Sequence, residues 1–194
     1  EIVIWKNPVT AMQRTKAIGL LHKQLCKDST MSRQGIPDTV VVFRKPGENL
    51  VPVAGELDYY VGDQLLRFSP DHYRRSIEIW QQYASPVWMD INMSNVLQYR
   101  EAKDEFDTKH IAPLQLEVIE RLLQLYSNED ELIYDCFSGI GSTGHEALRL
   151  GRRYIGSELK ESYFRQSIKN LERALQLVAQ PTLFEMMGIA EEVE

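Results

Sequence analysis

Three glycines within six positions, Gly139, Gly141 and Gly144, stand between an apolar run ending in Asp135 and a stretch of helical periodicity. Glycine lets a backbone turn sharply and come close to a ligand, and the helix that follows such a turn opens with unpaired N–H donors. The pattern around it is regular. A helix is expected from about Pro113 to Tyr126, carrying Leu116, Ile119, Leu123 and Tyr126 on one face, followed by a strand over 132–135. Thr143-x-x-Glu146 predicts a capping box for a short helix through Leu150, Gly151 suits its C′ position, and 153–157 reads as the next strand. Glu158 then falls about 20 positions beyond the glycine turn, where a carboxylate can accept both ribose hydroxyl hydrogens of a nucleoside. A long helix with Phe164, Ile168, Leu171, Leu175 and Val178 as its apolar stripe closes the unit. Helix–strand–helix–strand–helix implies a parallel sheet with helical crossovers, an α/β fold of Rossmann-like character.

The glycines match G-x-G-x-x-G, so a nicotinamide or flavin dinucleotide enters as one candidate ligand. Asp135 argues for another. A pyrophosphate in the loop would be repelled by that carboxylate, whereas a cationic cofactor such as S-adenosylmethionine, with its sulfonium and ammonium groups, would be stabilised by it.

Upstream, residues 2–5 read as a buried strand ended by Asn7-Pro8, residues 10–27 as one basic amphipathic helix, and residues 39–43 as a second strand stopped by Arg44-Lys45-Pro46-Gly47. The 46–100 stretch is punctuated by Pro52, Gly55, Gly62, Pro70 and Pro86, with one helix expected from about Pro70 to Tyr83. Gln180-Pro181 opens an irregular tail.

With these residues in place the chain resembles the DNA amino-methyltransferases that methylate adenine N6 or cytosine N4. The family's cofactor motif, Asp-Pro-Phe-x-Gly-x-Gly-Thr/Ser-Thr, stands here as Asp135-Cys136-Phe137-Ser138-Gly139-Ile140-Gly141-Ser142-Thr143, followed by Gly151-Arg152, then Ile155-Gly156-Ser157-Glu158 and Tyr163. Cys136 replaces the usual proline, which loosens the turn and removes no ligand group. Lys109-His110-x-x-Pro113-Leu114 resembles the family's second cofactor element, and the resemblance implies that His110, Pro113 and Leu114 cover the methionine end of S-adenosylmethionine. It likewise implies cofactor contacts for Asp135, Cys136, Phe137, Ser138, Gly139, Gly141, Ser142, Thr143 and Glu158. Trp88 resembles a Val-Trp element preceding the His-x-x-Pro motif, and a core tryptophan is the equal alternative.

The resemblance divides the chain into late strands of the catalytic half with a basic helix (1–46), an inserted target-recognition region (47–100), the S-adenosylmethionine-binding half (101–180) and a tail (181–194). The catalytic tetrapeptide, Asp/Asn/Ser-Pro-Pro-aromatic, which holds an extruded base by its exocyclic amine, occurs nowhere in the 194 residues. It is expected before residue 1, so no catalytic residue is assigned in this chain. The chain opens on Glu1-Ile2-Val3-Ile4-Trp5 without methionine and reads as a piece of a longer polypeptide. A piece lacking central strands would leave apolar strand edges that invite dimerisation. A non-catalytic DNA- or protein-binding module on the same fold remains an alternative, as does a dinucleotide-dependent oxidoreductase.

Charge divides the chain unevenly and allows a polyanionic partner for its basic end, although charge alone favours a solvated helix face. Residues 1–45 hold eight Lys/Arg against three Asp/Glu, net +5, while the remaining residues hold 14 against 25, net −11. Arg14, Lys16, Lys23, Arg33, Arg44 and Lys45 are candidate phosphate contacts for double-stranded DNA, with a solvated helix face as the plain alternative. Cys26 and Cys136 lie far apart without a C-x-x-C pattern, which argues against zinc and against a disulfide framework. No apolar run approaches the ~20 residues of a membrane span, and no leader opens the chain, so a reduced cytoplasmic setting is expected and no membrane partner.

Overall fold

The computed structural model describes residues 1–33, 35–48, 51, 53, 70–99, 102 and 113–180. The chain divides into two compact units, Glu1–Met93 and Ser94–Glu194. The described strands form two sheets, of three and of two strands. That makes the chain a mixed α/β protein with small sheets, and the second unit carries the parallel strand–helix–strand order of a partial Rossmann-like fold, as the alternation of helix and strand implied.

In the first unit, β1 (Ile2–Ile4) lies between β2 (Asp38–Val40), antiparallel to it, and β3 (Val87–Trp88), parallel to it. Ile2 and Ile4 point into the core with Ile79, Tyr83, Trp88 and Ile91. Trp88 is 1% exposed, its indole N–H donates to the Tyr83 carbonyl at 3.1 Å, and the two rings pack tilted at 6.5 Å. The core reading of this tryptophan is the one its environment supports.

The single helix expected over 10–27 is broken. α1 (Pro8–Thr15) starts on Asn7, whose side chain accepts from the Val9 and Thr10 N–H groups, and stops where Lys16 turns left-handed at φ 56°. A short 3-10 turn (Ile18–Leu20) precedes α2 (His22–Lys27). The reason is tertiary. A Cβ on Gly19 would meet Arg33 Cγ at 3.0 Å and the Met31 carbonyl at 3.1 Å, so the chain returns over Gly19 and a straight helix is not available there. α3 (Pro70–Tyr83) forms as expected.

In the second unit α4 (Leu116–Tyr126), β4 (Leu132–Asp135), α5 (Ser142–Arg149), β5 (Arg153–Gly156) and α6 (Glu161–Ala179) follow in order, β4 and β5 pairing in parallel from Leu132↔Arg153 to Asp135↔Gly156. Ile119 and Leu123 of α4 pack with Ala147 and Leu150, and Leu116, Ile133 and Tyr154 close the cluster. The period of two along the strands puts Ile133 and Tyr154 inside and leaves Leu132, Tyr134 and Ile155 more than half exposed.

Two expectations change here. Gly141, at φ 85°, starts α5 without a side-chain cap, which leaves Thr143 too far into the helix to cap it. Glu146 serves instead as a buried acceptor for His145 and Arg149, at 3.0 and 2.7 Å, and Arg149 also reaches Glu120 at 3.0 Å. Burial pushes the Glu146 carboxyl up, but hydrogen bonds and charge from His145 and Arg149 outweigh it, holding the group below the ordinary carboxylate value. On α6 the buried face is Gln166, Ser167, Asn170 and Ala174, while Phe164, Ile168, Leu175 and Val178 are exposed. The polar face wins because Asn170 donates to the Ile140 carbonyl at 2.8 Å and Ser167 lies against Gly141, needs set by the glycine turn rather than by helical period.

Candidate cofactor site

Asp135 ends β4 and its Oδ1 accepts the Phe137 N–H at 2.9 Å, turning the chain out of the sheet. The loop is then stitched to the neighbouring strand: the Ser157 N–H donates to the Asp135 carbonyl and the Ser138 N–H to the Ser157 carbonyl, both at 2.9 Å. Gly139 (φ 54°) and Gly141 (φ 85°) take left-handed conformations that a side chain disfavours, and the Gly141 N–H closes on the Ser138 carbonyl at 2.8 Å. A Cβ at Gly141 would also press on Ser167 Cβ at 3.0 Å. The glycines are thus required twice, by backbone conformation and by the approach of α6.

A cleft of about 400 Å³ opens at this turn, within the range of small-molecule sites. Asp135, Ser138, Gly139, Ser142 and Thr143 supply its polar wall, and Pro113, Leu114, Phe137, Ile140 and Tyr163 its apolar one. Among the expected site residues, Pro113, Leu114, Asp135, Phe137, Ser138, Gly139, Ser142 and Thr143 therefore come together. Gly141, the exposed Cys136 and Glu158 do not line the cleft, Glu158 standing behind it on the Gly139 N–H, and His110 lies outside the described residues. Ile140 was missed by motif reading because it occupies a variable position inside the motif. Among the described residues the lining contains one carboxylate and no cation, an electrostatic setting for a positively charged ligand and against a pyrophosphate. Lys160 holds its ammonium 4.5 Å over the Tyr163 ring.

Glu158 has a role that its spacing did not reveal. Its Oε2 accepts the Gly139 N–H and its Oε1 the Lys160 N–H, both at 2.8 Å. The carboxylate clamps the glycine turn to the start of α6, and each oxygen keeps acceptor capacity for one further donor.

Tyr154 is a second brace beneath the turn. Its ring fills the space left by two glycines: a Cβ at Gly144 would lie 2.5 Å from its Cε1, and one at Gly156 would collide with its hydroxyl. That hydroxyl meets Ser138 Oγ at 2.8 Å. Burial pushes the phenol up, so the hydroxyl stays protonated at neutral pH. Tyr154→Phe keeps the packing and removes the tie on Ser138. It is expected to lower cofactor-analogue affinity about 3- to 10-fold while changing unfolding stability by less than about 1 kcal/mol, measured by calorimetric titration and urea unfolding.

The candidate DNA contacts lie on the first unit: Lys23 on α2, Lys16 at the end of α1, Arg33 just after a 3-10 turn at Ser29–Met31, and Arg44 and Lys45 beyond β2. Arg44 donates to the Gly47 carbonyl at 3.0 Å, and the Arg14 side chain lies outside the described residues.

A glycine turn after a parallel strand, an acid at the tip of each of two adjacent strands and a cation-favouring cleft define a nucleoside-cofactor α/β unit. Comparison with known proteins narrows the class. The DNA methylase family for N6 and N4 amino groups matches residues 2–169. The type II methyltransferase M1.MboII of Moraxella bovis is 40% identical over 58 residues, 30% of this chain and 22% of that protein. The type II methyltransferase M.BglI of Bacillus subtilis is 28% identical over 132 residues, 68% of this chain and 29% of that protein. Among solved structures, the candidate DNA modification methylase TTHA0409 of Thermus thermophilus, complexed with S-adenosyl-L-methionine, is 24% identical with a TM-score of 0.44, over 71% of this chain and 43% of that one. The chain belongs to the DNA amino-methyltransferase family. It spans about a quarter of the length of these two curated relatives.

Proposed function

We propose that this chain is the cofactor-binding and part of the DNA-facing portion of an S-adenosylmethionine-dependent methyltransferase acting on an exocyclic amine of double-stranded DNA. The observation that carries it is the anionic cleft at the β4–α5 turn in a chain of this family. Asp135 would attract the cationic groups of the cofactor, Glu158 would accept the ribose hydroxyls, and the first N–H groups of α5 at Ser142 and Thr143 would face its polar atoms. Pro113, Leu114, Phe137 and Ile140 would cover its apolar surface. Bound there, the cofactor supplies an electrophilic methyl group on a sulfonium. Amine methylation asks mainly for positioning, and this chain's part is to hold one reactant still.

Adenine N6 is favoured over cytosine N4, following the resemblance. The chain by itself is inactive on this reading, because the Pro-Pro tetrapeptide that would hold the extruded base is absent from its sequence. The missing group belongs to the rest of a parent polypeptide, which would also cover the exposed outer face of β4 and β5; a homodimer is the other way to cover it. The segments 1–46, 47–100, 101–180 and 181–194 keep the roles given above. The protein would work in the cytoplasm; among the described residues no helix is long and apolar enough to cross a membrane.

Calorimetric titration of the chain with S-adenosylhomocysteine and, separately, with NAD⁺ tests the reading. Heat is expected with the first and none with the second. Binding of NAD⁺ alone would favour the oxidoreductase alternative, and a folded chain that binds neither would favour a binding module.

A further inference from the structure

A second cleft, of about 520 Å³, lies wholly within the first unit. It forms where β1 ends: Trp5 and Lys6 leave the sheet there, with the Trp5 N–H held by the Trp88 carbonyl at 2.9 Å. The Trp5 side chain is 41% exposed, unusual for an indole whose backbone is tied into a sheet. Arg33 comes to the same cleft from the chain that crosses Gly19. Its N–H donates to the Gly19 carbonyl at 3.0 Å, and its stem occupies the space that a Gly19 side chain would fill. The start of that stem is built in, and among the described residues the guanidinium has neither an ion pair nor a hydrogen bond. Lys6 is different, since Asp38 neutralises it at 2.5 Å. Pro8, Leu20 and Pro37 complete the walls.

This combination selects its ligand chemically. An unpaired guanidinium takes phosphate in a bidentate grip, and an accessible indole face takes a flat aromatic ring. Apolar walls around both reject a simple anion, which would lose hydration without compensation. The +5 balance of residues 1–45 adds a field of the same sign. We infer that this cleft binds a nucleotide, its base against Trp5 and its phosphate on Arg33. The inference stands apart from the cofactor site, which lies in the other unit. The nucleotide is either free or part of a DNA strand with its base unstacked.

The test follows the indole N–H signals of the three tryptophans by NMR, the Trp5 signal being the one missing in Trp5→Phe. Deoxyadenosine monophosphate, a short oligothymidylate and inorganic phosphate are titrated separately at about 50 mM salt, where phosphate contacts are strong. Nucleotide and oligonucleotide are expected to shift the Trp5 signal. Arg33→Ala should weaken that binding at least about fivefold, with Arg33→Lys recovering part, because a lysine keeps the charge and loses the fork. Tighter binding of the oligonucleotide assigns a strand, and tighter binding of the mononucleotide a free ligand. No Trp5 shift with either nucleotide, an equal response to inorganic phosphate alone, or full affinity in Arg33→Ala overturns the inference. The buried Trp88 signal reports that each variant is folded. S-adenosylhomocysteine titration of the same Arg33→Ala sample separates the two sites: heat without a Trp5 shift removes this inference alone, and a shift without heat removes the cofactor reading alone.

Discussion

Glu158→Ala is expected to weaken S-adenosylhomocysteine binding about 100-fold, and Glu158→Gln about 10-fold. The alanine variant loses the acceptors for the Gly139 and Lys160 N–H groups and the expected ribose contact together. A hydrogen bond to a charged group contributes about 1.5–3 kcal/mol, so loss of the diol grip with some loosening of the turn reaches the scale of about 2.7 kcal/mol that corresponds to two decades. Glutamine keeps one carbonyl oxygen and presents donors where the second oxygen stood, hence the intermediate value. Calorimetry on variants with unchanged far-ultraviolet spectra measures both. Wild-type affinity in Glu158→Ala would show that the ribose lies elsewhere and would sink the assignment of this cleft.

Gly144→Val is expected to destabilise the second unit by about 3 kcal/mol, at the upper end of the overpacking range. The first added carbon already falls 2.5 Å from Tyr154 Cε1 and 2.6 Å from Leu171 Cδ2, closer than carbon atoms approach unless one side shifts, and valine adds two methyl groups to that crowding. Gly144→Ala should cost less, about 1–2 kcal/mol, since alanine returns up to about 1 kcal/mol of helix propensity. Urea unfolding midpoints at fixed slope give the values. Combining Gly144→Ala with Tyr154→Ala isolates the contact: the pair should be less destabilised than the sum of the single changes. Strict additivity would show that the ring is not what fills the space.

Much of the second unit was legible in the sequence. The strand–glycine turn–helix order, Asp135 at a strand end, Gly151 after α5 and the strand leading to Glu158 all follow from local chemistry: period, left-handed glycines and chain reversal are properties of a few neighbouring residues. The cofactor reading rested on the same neighbours, which is why eight of the expected residues do line one cleft. The parts that sequence misplaced are those decided by distant partners. The break of the 10–27 helix is set by Arg33 crossing Gly19, and the buried face of α6 by the needs of the Ile140 carbonyl and Gly141.

The sequence by itself determined the order of elements around the glycine turn, the acidic character of the cleft and the family, because each is carried by residue types at fixed local spacing. Only the tertiary structure decided how those residues are held: Glu158 as a clamp on Gly139, Tyr154 seated against two glycines beneath Ser138, Glu146 turned from cap to buried acceptor, and Arg33 brought to Trp5. Each of these joins side chains to groups elsewhere in the fold, and the strength of such a contact depends on burial and on the partner's alternatives, which no periodicity records.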